Sequence, residues 1–320
     1  MSLSDTSIPL LLDVDTGTDD SLALLYALRS PEARIVGITT AVGNVSAEQA
    51  TVNTLKVLEL EGSGRQIPVV KGADRPLRRE WPGTKTAYHG ENGLAGYELP
   101  EPGLDRSGED AAAFIVRQAD ALAGELTLVF VGRLTNLAEA IRLDPTLPGK
   151  IKRLVIMGGA LRVPGNVTPY AESNIHGDPE AAAIVFASGI PLTMVGLDVT
   201  ASTLFREAHL QQLRSRSPEG NEAVLAFAEH LLTFRMQAYL GRKGILACPI
   251  HDPLAVAIAL DPALAETEQV RVSIDTTDTY TLGATREVRG TGEGHPVLVC
   301  TKVQDEAFLQ RFVGRLTLYA

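Results

Sequence analysis

The sequence is short of cysteine, of positive charge and of long apolar runs, and each shortage narrows what the chain can be. Only Cys248 and Cys300 occur, and they match no CxxC pattern, so a reduced cytoplasmic compartment is the expectation. Lysine and arginine number 29 against 39 acidic residues, for a net charge of −10 and a pI near 5.2. Nothing here builds the basic stripe that phosphate neutralisation needs, which argues against a nucleic-acid partner and against an anionic membrane surface. No apolar run approaches the roughly 18 residues of a membrane helix. The opening MSLSDTSIPL lacks the basic start and long apolar core of a secretory signal. Linkers, low-complexity tracts and internal repeats are also missing, so residues 1–320 are expected to form a single domain.

What is present reads as a soluble globular chain: 45% hydrophobic, 21% charged, and long enough to bury a sizeable core. Apolar runs at 8–14, 34–42, 67–73, 126–132, 152–159 and 190–199 are mostly continuous, as parallel strands covered on both faces are. Helical patterns separate them, and Ser46 with Gln49 suggests a capping box before one of these. The alternation predicts an α/β fold, a doubly wound and mainly parallel sheet with helices on both faces. Residues 201–265 then read as a helical insertion. Residues 270–288 and 295–303 read as a small C-terminal antiparallel element. The stretch 78–103 reads as a long loop, of the kind that forms lids or binding loops.

Three stretches carry chemistry. In LLLDVDTGTDD, Asp13, Asp15, Asp19 and Asp20 crowd the turn where a strand ends and a helix begins, the place where open α/β sheets bind ligands. Thr18 or Asp19 capping that helix is one reading; a hard divalent cation held by oxygen ligands is the other. In CPIHDPLAVA, Asp252 before Pro253 suggests a helix N-cap, while His251 beside it is a candidate proton donor. In the loop 157–181, Asn166, Glu172 and Asn174 belong either to an ordinary polar loop at the surface or to a set of partners for the hydroxyls of a sugar.

Together these pieces resemble the inosine–uridine-preferring nucleoside hydrolase family. Its acidic fingerprint stands here as Asp13-Val14-Asp15-Thr16-Gly17-Thr18-Asp19-Asp20, with Thr16 where a proline is usual. Further matches follow in family order: VGNV at 42–45, YHGENGL at 88–94, LTNLA at 134–138, MGGA at 157–160, AESNIHGDPEA at 171–181, MVGLDVT at 194–200 and HDPLA at 251–255. The resemblance spans about residues 8 to 310 and implies a nucleoside hydrolase-like fold.

It also implies Ca2+ held by Asp15, Asp20, Asp252 and the backbone carbonyl of Val131, with water and the ribose 2′- and 3′-hydroxyls in the remaining positions. Asp19 would bind a ribose hydroxyl, and Asn44, Asn166, Glu172 and Asn174 the others. Met157 would line the pocket, and Asp13 would support the loop. The reaction implied is hydrolysis of the N-glycosidic bond of inosine- or uridine-type ribonucleosides to base and ribose, in purine and pyrimidine salvage. Asp15 would be the general base and His251 the proton donor to the leaving base. His89 and Trp81 sit in the lid near the pocket. Tyr239 and Lys243 either shape the base pocket or belong to an ordinary helix face. Ser173 replaces the aromatic residue often found between the glutamate and asparagine of the sugar loop. A homodimer or homotetramer is implied as well. The competing readings are a haloacid-dehalogenase-like phosphatase, for which Gly17 stands where a threonine is required, and a non-catalytic nucleoside- or ribose-binding homologue. Retention of Asp15, Asp252 and His251 argues against the latter. A hydrolase of a related riboside stays open.

Overall fold

A computed structural model describes residues 7–62, 66–216, 220–290 and 294–318; most of the stretch read for a secretory signal lies outside the described residues. The first half alternates as expected. Strands β1 (Ile8–Val14), β2 (Ala33–Thr40), β3 (Val69–Lys71), β4 (Thr127–Phe130), β5 (Arg153–Met157) and β6 (Leu192–Val195) are joined by helices. These are α1 (Thr18–Leu28), α2 (Ala47–Glu61), α3 (Thr86–His89), α4 (Ala111–Ala121), α5 (Thr135–Leu143), α6 (Ser173–Gly177) and α7 (Pro179–Ala187). The second half holds α8 (Leu197–Thr200), β7 (Leu204–Arg206), α9 (Glu207–Ser215), α10 (Glu222–Lys243), β8 (Ala247–Pro249) and α11 (Asp252–Leu260). It ends with β9 (Ala265–Ile274), β10 (Thr285–Glu287), β11 (His295–Val303) and α12 (Asp305–Leu316).

One nine-stranded sheet has the order β10-β9-β11-β6-β5-β4-β1-β2-β3. From β3 through β6 to β11 the neighbours are parallel, and β9 and β10 finish the far edge antiparallel. Side-chain alternation along β1 divides the core. Leu10, Leu12 and Val14 face helices α1, α2, α10, α11 and α12, while Leu11 faces α4, α5 and α7. Each fully buried leucine or phenylalanine in these layers contributes roughly 1.5–3 kcal/mol by leaving water. None of the helices among the described residues is long and apolar enough to cross a membrane.

Several boundaries differ from the sequence reading. The run 190–199 is a strand only to Val195; the chain turns at Gly196 and winds into α8, where Asp198 accepts the backbone N–H of Leu161 and Arg162 at 2.9 and 2.8 Å. The insertion at 201–265 is not wholly helical. β7 and β8 pair antiparallel within it, with buried Phe205 opposite buried Cys248, and three-residue strands are too short to show a period. The loop 78–103 contains the single turn α3. Ser46 does cap α2, its hydroxyl accepting from Gln49 N at 3.1 Å, but the Gln49 side chain turns to Asn53 instead of closing the box. At α11 the N-cap position belongs to His251, and Asp252 is the first helical residue, one place later than expected.

Because the strands from β3 to β6 are parallel, their carboxyl ends lie along one edge of the sheet. The segments leaving β1, β2, β4 and β5 there are 15–20, 41–46, 131–136 and 158–178, which hold eight of the candidate residues; Met157 ends β5, and His89, Tyr239, His251 and Asp252 come from α3, α10 and the start of α11.

Candidate active site

The turn after β1 is held by one of its own acids. Asp20, in the first turn of α1, accepts the backbone N–H of Asp15 at 3.0 Å and of Gly17 at 2.9 Å. Neither Thr18 nor Asp19 caps the helix, so the capping reading of this cluster holds only for Asp20. Asp13 points to the Leu11 face of β1, away from Leu12 and Val14, as the period of two demands. One of its oxygens accepts from Thr39 Oγ1 at 2.5 Å and from Asn136 Nδ2 at 2.7 Å. Burial pushes its carboxyl up to about 7 against those hydrogen bonds.

Asp252 arrives from the start of α11 and completes a buried group: Asp19, Asp20 and Asp252 each present an oxygen within 4.8 Å of the others. Burial, then the neighbouring Asp15 and Asp19, hold Asp20 well above the usual carboxylate range. Burial, then Asp19, Asp20 and Asp15, do the same to Asp252. Asp19 differs. Burial pushes it up, but Arg235, His89 and His251 outweigh burial and bring it down to about 2. The Arg235 guanidinium from α10 pairs with Asp19 at 2.9 Å and donates to Thr18 Oγ1 and to the Pro249 carbonyl, each at 3.1 Å.

Asp15 lies against this group under the grip of the loop after β2. Asn44 N donates to Asp15 Oδ2 at 2.7 Å, and Asn44 Nδ2 donates to Asp15 Oδ1 and Asp20 Oδ2, both at 3.0 Å. Gly43 makes the approach possible, since a Cβ there would lie 1.7 Å from Asp15 Oδ2. With Asp20 and Asp252 buried and repelling, an oxygen-only donor set of this kind suits a hard divalent cation. The residues present therefore fit the metal that the motif implies.

A second hydrogen-bonded network forms around Glu172. Glu172 is buried, with Asn174 N donating to one oxygen at 2.8 Å and Gly159 N and Ile175 N to the other at 3.1 and 3.2 Å. Burial raises its pKa, opposed by those N–H groups and by Lys85. Asn174 Nδ2 donates to the carbonyls of Val131 at 2.7 Å and Met157 at 3.0 Å, so the Val131 oxygen already has a partner. Asn166 Oδ1 accepts from Ser173 N at 2.9 Å. Lys85, from the 78–103 loop, joins the two networks: its Nζ donates to Ser173 Oγ at 2.6 Å and to Asn44 Oδ1 at 3.4 Å. Trp81 also ties this loop to the one after β2, its indole N–H donating to the Gly43 carbonyl at 2.9 Å.

Two histidines border the acids. His89 Nδ1 accepts from Thr18 N at 3.1 Å, and burial brings its pKa down to about 3. His251 Nδ1 lies 2.8 Å from Thr200 Oγ1 on α8, and burial brings its pKa down to about 4. Tyr239 follows Arg235 by one turn of α10 and is half-buried; Lys243 is exposed. Neither is part of the hydrogen-bonded networks among the described residues. Arg235, Lys85 and Thr200 were not read from the sequence. Each is a single polar residue in an ordinary helix or loop, and only the fold brings it to the acids.

The chain matches the family model described as "Inosine-uridine preferring nucleoside hydrolase" over residues 10–310. It is 38% identical to the pyrimidine-specific ribonucleoside hydrolase RihA of Salmonella gallinarum, covering 98% of this chain and 100% of that one. It is 36% identical to uridine nucleosidase 1 of Arabidopsis thaliana, covering 83% of this chain and 78% of that one. The solved structure titled as a purine-preferring ribonucleoside hydrolase from Gardnerella vaginalis superposes with a TM-score of 0.90 at 35% identity, covering 97% of this chain and 98% of the other.

Proposed function

The chain belongs to the inosine-uridine preferring nucleoside hydrolases, glycosidases of N-glycosyl bonds, and on that premise we propose that it uses Ca2+ and Asp15 to hydrolyse inosine- and uridine-type ribonucleosides. The observation that supports this best is the buried group in which Asp19, Asp20 and, more than 230 residues further along the chain, Asp252 bring carboxylate oxygens within 4.8 Å of one another, with Asp15 tied to Asp20 through Asn44. Asp20 and Asp252, with Asp15 and the Val131 carbonyl alongside, would hold the cation. When bound, it supplies positive charge to the carboxylates and Lewis acidity toward water.

The chain's own residues then divide the work. Asp15, oriented by Asn44 through both oxygens, takes the proton of the water that attacks C1′. Asp19, fixed by Arg235, accepts from a ribose hydroxyl, and Asn44, Asn166, Glu172 and Asn174 serve the others over Met157. The buried carboxylates favour the positive charge that develops on the ribosyl group as the bond to the base breaks. On the base side, a Thr200 hydroxyl donating to His251 Nδ1 leaves the ring proton on Nε2, free to hydrogen-bond the leaving base. His89 and Tyr239 border the same side. Each proton-transfer role is worth roughly 10²–10⁴-fold. Uridine is the first substrate to test, because the two relatives above carry pyrimidine and uridine in their names. The freed base would enter nucleobase salvage, and the protein would act as a cytoplasmic homodimer or homotetramer.

The test is a panel of uridine, cytidine, inosine and adenosine with the purified protein, following ribose by reducing-sugar assay and base by chromatography. Ribose release that a chelator abolishes and Ca2+ restores is expected. Release from none of them, with Ca2+ present and folding verified, overturns the proposal; binding without release would point to a non-catalytic homologue instead.

A further inference from the structure

Lys85, in the 78–103 loop, brings a charged end to the segment that carries Glu172 and Asn174. Its backbone N–H donates to the Asn44 carbonyl at 3.0 Å, which fixes where the side chain starts. Its Nζ then crosses to Ser173 at 2.6 Å, with a longer contact to Asn44 Oδ1 at 3.4 Å. Both acceptors are neutral, and an ammonium carries three donors. The polar groups around it are largely committed. Glu172 accepts three backbone N–H groups, Asn174 Nδ2 serves two carbonyls, and Asn166 Oδ1 holds Ser173 N. A serine at 173 leaves room for the lysine that a large aromatic side chain would fill.

This inference rests on the proposed function, with the 2′- and 3′-hydroxyls of ribose turned to the metal and Asp19 as the family resemblance implies. The hydroxyl left for the Glu172 network is the one on C5′. A hydroxyl is fully read only by an acceptor for its proton together with a donor to its oxygen. We infer that Lys85, anchored on Ser173, is a specificity-determining residue that donates to the ribose 5′-oxygen while Glu172 accepts the 5′-hydroxyl proton. A substrate lacking that hydroxyl leaves the third donor of the ammonium and one acceptor position of the buried carboxylate without a partner, which is how a site discriminates against a deoxy analogue.

The experiment compares kcat/KM for uridine and for 5′-deoxyuridine in the Ca2+-loaded enzyme, its Lys85→Met variant and its Ser173→Ala variant, with thermal melts to verify folding. The wild type is expected to prefer uridine strongly. Lys85→Met should cut kcat/KM for uridine by about 10- to 100-fold, the range for a hydrogen bond to a charged group, and leave 5′-deoxyuridine nearly unchanged. Ser173→Ala, which frees the anchor, should shift the ratio the same way by less. If Lys85 only holds the 78–103 loop in place, both substrates fall together and the ratio stays at its wild-type value, which overturns the inference while uridine turnover still upholds the hydrolase reading. Should Lys85→Met fail to fold, an unchanged ratio in Ser173→Ala has the same force. A wild type that releases no ribose from uridine or any other nucleoside overturns both.

Discussion

Asn44 holds Asp15 by both carboxylate oxygens, its backbone N–H on Oδ2 at 2.7 Å and its side-chain amide on Oδ1 at 3.0 Å. A carboxylate gripped this way cannot rotate, so its lone pairs stay aimed at one position. The amide also donates to Asp20 Oδ2 at 3.0 Å, so a single side chain spaces two like charges. Asp15→Ala is expected to lower kcat by at least 10²-fold, within the 10²–10⁴-fold range of general-base catalysis. Asn44→Ala keeps the backbone bond and loses the side-chain arm, so its kcat should fall less, by about tenfold. Steady-state kinetics at saturating Ca2+ decide this. Near-normal kcat in Asp15→Ala rules Asp15 out as the base.

Gly43 is required by contact. A Cβ at this position would lie 1.7 Å from Asp15 Oδ2 and 2.5 Å from its Cγ. Gly43→Ala must therefore displace either the Asp15 carboxylate or the loop that carries Asn44 and accepts the Trp81 indole. The expected result is a loss of kcat comparable to that of Asp15→Ala in a protein that still folds, because the 41–46 loop lies at the edge of the sheet. Kinetics together with far-ultraviolet circular dichroism test it; wild-type kcat would mean that the loop yields without moving Asp15.

The acidic cluster predicts a metal effect that does not depend on turnover. Burial and mutual repulsion raise Asp20 and Asp252 well above the ordinary carboxylate range, so a cation that joins them binds the folded state alone. Such a ligand at 100 times its Kd adds about 2.7 kcal/mol of stability. Thermal melts should rise by several degrees when Ca2+ is returned to chelator-treated protein. Asp252→Asn should abolish most of that rise. An equal rise in wild type and variant would place the ion elsewhere.

What the sequence disclosed and what it hid separate by distance along the chain. The turn from Asp13 to Asp20 is a local device, a strand end, a tight turn and a helix start, so its place at the carboxyl edge of a parallel sheet was readable from the residues alone. The alternation of apolar runs with helical patterns likewise announced the sheet, because continuous runs are what strands buried on both faces require. Arg235 reaches back to Thr18 across 217 residues, and nothing on its own helix marks it as the partner of an acid at the first strand. Lys85 and Thr200 are hidden for the same reason. At the elements, Gly196 ended β6 earlier than its apolar run suggested, and Asp252 moved from cap to first helical residue. The latter matters for function, since the carboxylate is thereby left to the acidic cluster and not to a backbone N–H of α11.

His89 gives the site a measurable pH signature. Its Nδ1 accepts from the Thr18 N–H, a bond that only the neutral ring can make, and burial lowers its pKa to about 3 in the fold, helped by Arg235, Lys85 and His251 and opposed by Asp19. In the unfolded chain the ring titrates near 6.5. Above that pH both states hold it neutral and its contribution to stability is complete. As the pH falls from 6.5 toward 3 the unfolded chain takes up a proton that the fold refuses, so stability is lost by up to about 1.4 kcal/mol per unit. In His89→Asn the amide oxygen can take the place of Nδ1 as acceptor without titrating. Urea unfolding of chelator-treated protein between pH 7.5 and 5 should therefore show the wild type losing about 2 kcal/mol more than the variant by pH 5. Parallel curves would mean that His89 protonates in the fold as readily as in the unfolded chain.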